Sequence, residues 1–419
     1  MNHPDRHIAK RYDTPNRSRR FTDIVYTSGA HENPGALWDE LHRAERSLDL
    51  PAPDLIPLVG EMHGHSCFSD GGPTPETYFA NIRDKAKLDF AVLTDHDHGG
   101  VGSPELWAES PSEGSPSSGS PSKWELTRRA ALAARVEGKF STLLGYERDS
   151  YPFYNNMILY FRDDSCAAEM VRGVRDGEIT AEELRALLAR EDVVTCPHDT
   201  YSLSSGADFG HIPVELITPY IEIMSRGDAA EYMGNPALDQ GTICEGGFWQ
   251  DALRRGAKIG VIGGSDDHGG MNGRVNHEPY PFNYPGVTGV WATENTPAAI
   301  FDALKAGRTY AFMRGPMDGA MEGRMVLDLR IEGHYVGETI TRPENGNLHL
   351  YFCVQADTPI KQVTLVKNCR KIVTYFHRGC EFRDSILDYR QETPCDCYYL
   401  RVELTDGRFG WTSPIWVEA

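Results

Sequence analysis

From about Leu55 to about Ala306, short apolar runs alternate with amphipathic stretches. Seven of these runs read as strands: Ile56–His63, Phe90–Thr94, Ser141–Glu147, Asp192–Cys196, Tyr220–Met224, Lys258–Gly263 and Val287–Ala292. Strands separated by helical stretches are the pattern of β/α units around a mainly parallel sheet. The helix starts are written in local chemistry. Thr74-Pro75 and Thr296-Pro297 each set a capping hydroxyl before a proline, whose missing N–H has no partner to lose in a first helical turn. Thr180 and Glu183 have the spacing of a reciprocal capping box, and Gly307 supplies a helix stop.

Beyond Arg308 the pattern becomes strand-like alternation without helices: Val326–Ile331, Leu348–Ala356, Ile360–Lys367, Lys371–Phe376, Tyr398–Leu404 and Ser413–Val417. Gly, Asn, Asp and Pro separate these runs, which predicts an antiparallel β-sandwich over residues 315–419, with a boundary near Gly315. The α/β part then occupies residues 51–314. Within it, 103–123 is rich in Ser, Pro and Gly and reads as a flexible insertion after the second strand. Residues 1–50 carry no motif and are set apart as an N-terminal extension.

Composition narrows the function classes. The 419 residues include 42 Lys+Arg against 61 Asp+Glu, a net charge of −19, which disfavours an extended nucleic-acid surface or attraction to an anionic membrane. A small-molecule substrate is the expected partner. With 40% hydrophobic and 25% charged residues the chain is expected to fold, either as a monomer or as a homo-oligomer. No apolar run reaches the roughly 18–20 residues needed to span a bilayer. Arg19-Arg20 is followed by Phe21–Gly29, which lacks the apolar region of an export signal, so a cytoplasmic location is expected. The nine cysteines form no C-x-x-C pair and read as packed free thiols.

The chemistry-bearing residues cluster where the predicted strands end, the position at which β/α folds place their sites. The first cluster is Glu61-Met62-His63-Gly64-His65, in which alternate residues of an extended chain project to one side, so that two imidazoles can reach one cation. Ser69-Asp70-Gly71 follows. The others are Thr94-Asp95-His96-Asp97-His98, Gly145-Tyr146-Glu147, Cys196-Pro197-His198-Asp199 and Gly264-Ser265-Asp266-Asp267-His268. A lone strand-end histidine is more often structural than not. Gathering this many imidazoles and carboxylates would be costly without a compensating cation, and so the set together points to a metal centre.

The ordered set H-G-H, S-D-G, T-D-H, a glutamate, P-H and S-D-D-H, spanning Gly60 to His268, resembles the polymerase-and-histidinol-phosphatase (PHP) superfamily of metallohydrolases. Gly307–Phe312 (GRTYAF), Gly333–Glu338 (GHYVGE) and Trp411–Val417 (WTSPIWV) resemble its carbaryl-hydrolase-like branch, which appends a C-terminal β-domain. The resemblance implies a distorted seven-stranded β/α barrel followed by a β-sandwich. It implies that His63, His65, Glu147 and Asp266 surround a first cation, that Glu147 bridges to a second held by His198, and that Asp70, His96 and His268 form a third position. Catalysis then centres on Glu147, Asp266 and His268. Three departures stand out: Asp70 where relatives use histidine, Tyr154-Asn155-Asn156-Met157 where relatives often carry a histidine, and His198-Asp199 in place of P-H-H.

Mixed imidazole and carboxylate donors suit one to three divalent ions of Zn, Mn or Fe. Arg226, Arg274 and His277 fall in loops after the fifth and sixth predicted strands and are candidates for substrate binding. Asp95, Asp97, His98 and Asp267 are candidates for orienting ligand imidazoles, with Glu61 either another or solvated, whereas Tyr146 and Trp291 are expected in the core. The expected activity is hydrolysis by metal-activated water, of a phosphoester by the superfamily resemblance or of a carboxyl ester or carbamate by the branch resemblance. A non-catalytic, metal-stabilised binding protein is the remaining alternative.

Overall fold

Nine strands precede residue 315 in the computed structural model, which describes residues 55–97, 121–172, 179–202, 206–225, 229–238, 245–270, 284–317 and 321–419. They are β1 (Ile56–Glu61), β2 (Phe90–Leu93), β3 (Ser141–Tyr151), β4 (Tyr154–Phe161), β5 (Val193–Pro197), β6 (Tyr220–Met224), β7 (Gly260–Gly263), β8 (Gly286–Ala292) and β9 (Thr309–Met313). All seven predicted strands are among them. β1 passes from exposed Ile56 into full burial at Leu58 and has partners on both sides. β2 pairs with it in parallel, Gly60 opposite Phe90, while β8 pairs antiparallel from Ile56↔Ala292 to Gly60↔Thr288. The expectation of a mainly parallel sheet therefore holds for β1, β2 and β3 and for the β6–β7 pair. It does not hold for β4, β8 and β9, because residue alternation specifies a strand but not its direction.

Among the described residues, six short α-helices accompany these strands: α1 (Pro75–Ala80), α2 (Lys123–Ala134), α3 (Asp164–Arg172), α4 (Ala181–Leu188), α5 (Trp249–Arg254) and α6 (Pro297–Lys305). The caps read from sequence are present. Thr74 accepts from Thr77 N, Thr180 and Glu183 close a capping box, Thr296 accepts from Ala299 N, and Gly307 after α6 takes a φ of 71°. Ser122 caps α2, so the end of the predicted insertion is already helical at Lys123; residues 101–120, like 1–50, lie outside the described residues.

The C-terminal strands are β10 (Met325–Ile331), β11 (His334–Tyr335), β12 (Thr339–Thr341), β13 (Leu348–Ala356), β14 (Ile360–Lys367), β15 (Arg370–Phe376), β16 (Glu381–Asp388), β17 (Cys395–Leu404), β18 (Phe409–Thr412) and β19 (Ile415–Glu418). Among the described residues, one thirteen-stranded sheet runs β12-β19-β17-β18-β9-β8-β1-β2-β3-β4-β5, with β14 and β15 branching from β17. β6 and β7 pair separately, and β11-β10-β13-β16 form a second, antiparallel sheet. The closed ring of seven strands implied by the resemblance is not drawn by this pairing: β5 and β6 lie side by side without a ladder. Six of the described strands, β4, β9, β11, β12, β16 and β18, were not foreseen, and two of them show why. In β4 the polar Asn155-Asn156 breaks the apolar run, and in β16 the charged Glu381 and Arg383 are buried, so neither has the alternation of a half-buried strand.

β9 hydrogen-bonds to β18, Phe312 opposite Gly410, so the sheet continues from the α/β half into the C-terminal strands. Polar contacts reinforce that junction. Val261 N donates to Ser413 Oγ at 2.9 Å, and Gln250 of α5 donates to Tyr399 Oη at 2.7 Å. Glu231, buried in the segment after β6, accepts from Tyr399 Oη at 2.7 Å and Trp411 Nε1 at 2.9 Å, and pairs with Arg401 at 3.2 Å. The described cysteines are all free thiols, and no helix among the described residues is long and apolar enough to cross a membrane.

Arg401→Met is expected to leave the Glu231 carboxylate buried without its counter-charge, at a cost of about 3–5 kcal/mol. Urea denaturation checks this: the midpoint should fall for the whole chain as one transition, and an unchanged midpoint would contradict the role of the pair.

Candidate metal centre

The ends of β1, β3, β5 and β7, with the loop after β2, bring the predicted ligands together. Backbone pairing carries these ends onward: Asp266 N donates to His63 O and His65 N to Asp267 O, each at 3.0 Å, while Glu147 N donates to Asp95 O at 3.2 Å. Asp266 and Asp199 hold left-handed φ values of 47° and 49°, a conformation that aspartate tolerates better than most residues and that aims both carboxylates inward. Gly264 is required where it stands, because a Cβ there would lie 2.3 Å from His63 Cβ and 2.5 Å from Glu222 Oε1.

Four donor residues, His63, His65, Glu147 and Asp266, lie close together. His63 Nε2 lies 3.3 Å from His65 Nε2, 3.2 Å from Glu147 Oε2 and 3.6 Å from Asp266 Oδ1. His65 Nε2 lies 3.4 Å from Glu147 Oε2 and 3.2 Å from Asp266 Oδ1. His63, His65 and Glu147 present three donor atoms within 4.8 Å of one another, a set that could hold a cation, and Asp266 adds contacts to both imidazoles. All four residues are buried.

Charge supports the same fit. Glu147, Glu222 and Asp266 are three buried carboxylates, and burial alone would raise their pKa values. The facing imidazoles reverse this and hold all three below the ordinary carboxylate range. Burial in turn works against charging His63, His65 and His198, yet the carboxylates push each of them up, His198 to about 10. Such mutual shifts mark a pocket that needs positive charge, which protons or a divalent cation can supply.

A second group is wider and open to solvent. His96 Nε2 lies 3.9 Å from Asp70 Oδ1, and His268 Nε2 lies 3.8 Å from Asp70 Oδ2. Their side chains are 20%, 46% and 26% exposed for His96, Asp70 and His268. His65 joins the two groups, with Nδ1 3.7 Å from Asp70 and 3.3 Å from Ser69 Oγ. His198 stands on the opposite side, its Nε2 3.6 Å from Asp266 Oδ2 and 3.3 Å from Asp199 Oδ2.

Several supporting residues have distinct jobs. Asp95 accepts from Ser66 N, Ser66 Oγ and Ser69 Oγ at 2.6–2.7 Å and so pins the loop that carries Asp70. Asp97 pairs with Arg148 at 3.3 Å, and Asp267 accepts from Gly269 N. Glu61 is buried rather than solvated; burial pushes it up to about 8, and it accepts from Ser265 N and His63 N. Tyr146 and Trp291 lie in the core. Arg226, Arg274, His277 and His98 lie outside the described residues.

The sequence reading missed Glu222. Its Oε1 lies 3.0 Å from His63 Nδ1 and its Oε2 2.6 Å from His198 Nδ1, so one carboxylate fixes both rings with Nε2 turned inward. The signal was a lone charge inside the apolar run Tyr220–Met224. Asn156 was also missed as an individual residue: its Nδ2 donates to Glu147 Oε1 at 3.0 Å.

No family model matches the chain. It is 24% identical over 388 residues to an uncharacterised protein of Chlamydia pneumoniae, covering 88% of this chain and 58% of that protein. It is 25% identical over 248 residues to an uncharacterised protein of Chlamydia muridarum, covering 54% of this chain and 38% of that protein. The chain therefore spans less than two thirds of the length of these relatives. Among solved structures it is similar to a two-domain protein from Bacteroides vulgatus containing a predicted PHP-like metal-dependent phosphoesterase, with a TM-score of 0.44, 16% identity, and coverage of 88% of this chain and 98% of that one. That likeness is too distant to transfer chemistry.

Glu222→Gln keeps the shape but loses the charge and one of the two acceptors. Divalent-cation affinity is expected to fall roughly 10–100-fold. Competition with a chromophoric chelator measures it, and an unchanged affinity would remove Glu222 from the centre.

Proposed function

We propose that this protein is a metal-dependent hydrolase that cleaves a phosphoester with activated water. The observation that carries the reading is the buried cluster of His63, His65, Glu147 and Asp266, in which each imidazole Nε2 lies 3.2–3.6 Å from a carboxylate oxygen of Glu147 and of Asp266. When bound, a divalent ion lowers the pKa of water toward neutrality and offsets charge developing on an ester oxygen. Zn, Mn and Fe all suit this donor set.

The chain's own residues supply the rest. His63, His65, Glu147 and Asp266 would hold a cation out of solvent, while Asp70, His96 and His268 would hold another where a substrate can approach. Glu222 keeps the imidazole lone pairs of His63 and His198 turned inward. Asp95 keeps the loop carrying Asp70 in place. His268, partly exposed with Nε2 3.6 Å from Asp266 Oδ1, stands on the side where a substrate can approach. Arg226, Arg274 and His277 remain the candidates for gripping the anionic part of a substrate. The superfamily resemblance of the motif set favours a phosphate, and the acidic chain as a whole fits a small substrate better than a polyanion.

The deciding assay is p-nitrophenol release by protein reconstituted with Zn or Mn, using phosphate monoester, phosphodiester and carboxyl ester substrates with a chelated control. Chelator-sensitive cleavage of a phosphate ester is expected. Preference for the carboxyl ester would move the protein to ester or carbamate hydrolysis, and metal binding without turnover of any substrate would favour a binding role. Asp266→Ala is expected to lower turnover by more than the roughly 100-fold that loss of an outer partner costs, in a protein that still folds by circular dichroism. A loss of fold with no separate loss of turnover would instead make the cation a structural staple.

A further inference from the structure

We infer that the slot at the open seam between β5 and β6 is a second binding site, which takes a small apolar carboxylic acid and acts on the metal centre through those two strands. The coupling to the centre rests on the metal-dependent reading above; the binding of the acid does not.

The seam is an irregularity of the sheet. Arg162 N donates to Asp192 O and His198 N to Asn156 O, so the even-numbered residues of β5 turn their main-chain groups toward β4. Alternation directs those of Val193 and Thr195 toward β6, where no ladder forms among the described residues. At this place lies a cavity of about 340 Å³, inside the range of about 300–1,000 Å³ for small-molecule sites.

Its lining has two characters. Leu187 of α4, Val193, Val214, Ile217 and Leu304 of α6 give it apolar walls, and Lys258 and Lys305 add two ammonium groups. Lys305 Nζ donates to Arg190 O at 2.9 Å and meets the Glu191 carboxylate only at 3.5 Å, where Glu191 is 91% exposed. Lys258 pairs with Glu418 at 3.0 Å, with both side chains about half exposed. Exposed pairs of this kind are weak and leave the lysines able to take another anion. The lining carboxylate of Glu215 is itself well exposed and faces Arg185 at 3.6 Å. In a chain of net charge −19, two lysines beside one apolar slot select an anion with a hydrophobic body.

Thr195 adds a demand of its own. Val194 and Cys196 pack inward with Ile158 and Tyr220, whereas Val193 packs outward with Leu187, and Thr195 shares the face of Val193. It lines the slot, is 2% exposed, and its hydroxyl has no hydrogen-bond partner. A buried hydroxyl left in that state is destabilising, and an acceptor oxygen brought to it relieves the cost. A carboxylate has two oxygens, so one acid serves both this hydroxyl and a lysine while its tail lies against the leucines. Because the hydroxyl is sealed from solvent, reaching it requires β5 and β6 to part slightly.

That movement links the slot to the centre. Thr195 stands three residues before His198 and Tyr220 two before Glu222, roughly 10 and 7 Å back along their strands. His198 Nδ1 and Glu222 Oε2 join the strand ends at 2.6 Å, and Glu222 also holds His63 Nδ1 at 3.0 Å. Parting the strands stretches these contacts, so an occupied slot loosens the carboxylate that orients two imidazoles and weakens cation binding.

Octanoate is the probe and octylamine its control for charge, each titrated calorimetrically into the full chain stripped of metal. Octanoate is expected to bind at one site, and octylamine at least roughly tenfold more weakly. Lys305→Met keeps the stem and removes the charge, and should weaken octanoate roughly tenfold. Val214→Trp sets a large ring in the slot and should abolish binding, with circular dichroism unchanged in both variants. No octanoate binding, equal binding of octylamine, or undiminished binding by folded Val214→Trp would overturn the site. Divalent-cation affinity is then measured with a chromophoric chelator, with and without saturating octanoate. It is expected to fall roughly fivefold or more in the unchanged chain and not in Val214→Trp, and linkage requires the metal-loaded chain to bind octanoate more weakly by the same factor. An unchanged cation affinity with octanoate bound would overturn the coupling. Octanoate binding by a chain that takes no cation would overturn the metal reading and leave the site supported.

Discussion

Three carboxylates, Glu147, Glu222 and Asp266, are buried against the imidazoles of His63, His65 and His198 at one end of the sheet. Removing that much charge from water is costly unless each group finds a partner, and much of the local architecture follows from meeting this demand. β1 and β7 must end side by side so that Asp266 N can reach His63 O, and Gly264 must lack a side chain so that His63 and Glu222 can meet above it. Asp266 and Asp199 adopt left-handed backbone, a local strain that places their carboxylates where β-region geometry would not. Among the described residues the cluster divides into a buried part and a partly exposed part around Asp70, His96 and His268.

The outer residues turn a crowd of ligands into an ordered one. Glu222 takes the Nδ1 side of two imidazoles, which sets where both lone pairs point; Asp95 takes three donors of the loop that carries Asp70; Asn156 takes one oxygen of Glu147. None of these contacts is strong alone, yet each removes an alternative orientation of a ligand atom. That is how a metal site gains affinity without further ligands.

The C-terminal half takes part in this order from behind. β9 pairs with β18, Ser413 Oγ accepts Val261 N of β7, and Glu231, a few residues beyond β6, is locked to Arg401, Tyr399 and Trp411. The strands that carry Glu222 and lead into Asp266 therefore lean on residues more than a hundred positions away. Sheet continuity across residue 315 makes the C-terminal strands a support for the centre as well as a fold of their own.

Local chemistry in the sequence was enough to place the seven strands before residue 315 that bear or flank the site, the caps at Thr74, Thr180 and Thr296, and the cluster of His63, His65, Glu147, His198, Asp266, Asp70, His96 and His268. Each of these depends on residues a few positions apart: alternation, a hydroxyl before a helix, polar groups where an apolar run stops. Strand direction was beyond it, since β8 alternates identically whichever way it runs beside β1. So was the part played by Glu222, which reads as one charge in an apolar run until β1 and β5 bring His63 and His198 to it from 159 and 24 residues away. Asn156 likewise reads as a polar interruption, and only the β3–β4 register sets it beside Glu147. The sequence by itself determined where imidazoles and carboxylates collect at strand ends; tertiary structure decided which of their atoms face one another and added Glu222 to them, because those meetings are made by neighbours that come together only when the sheet has formed.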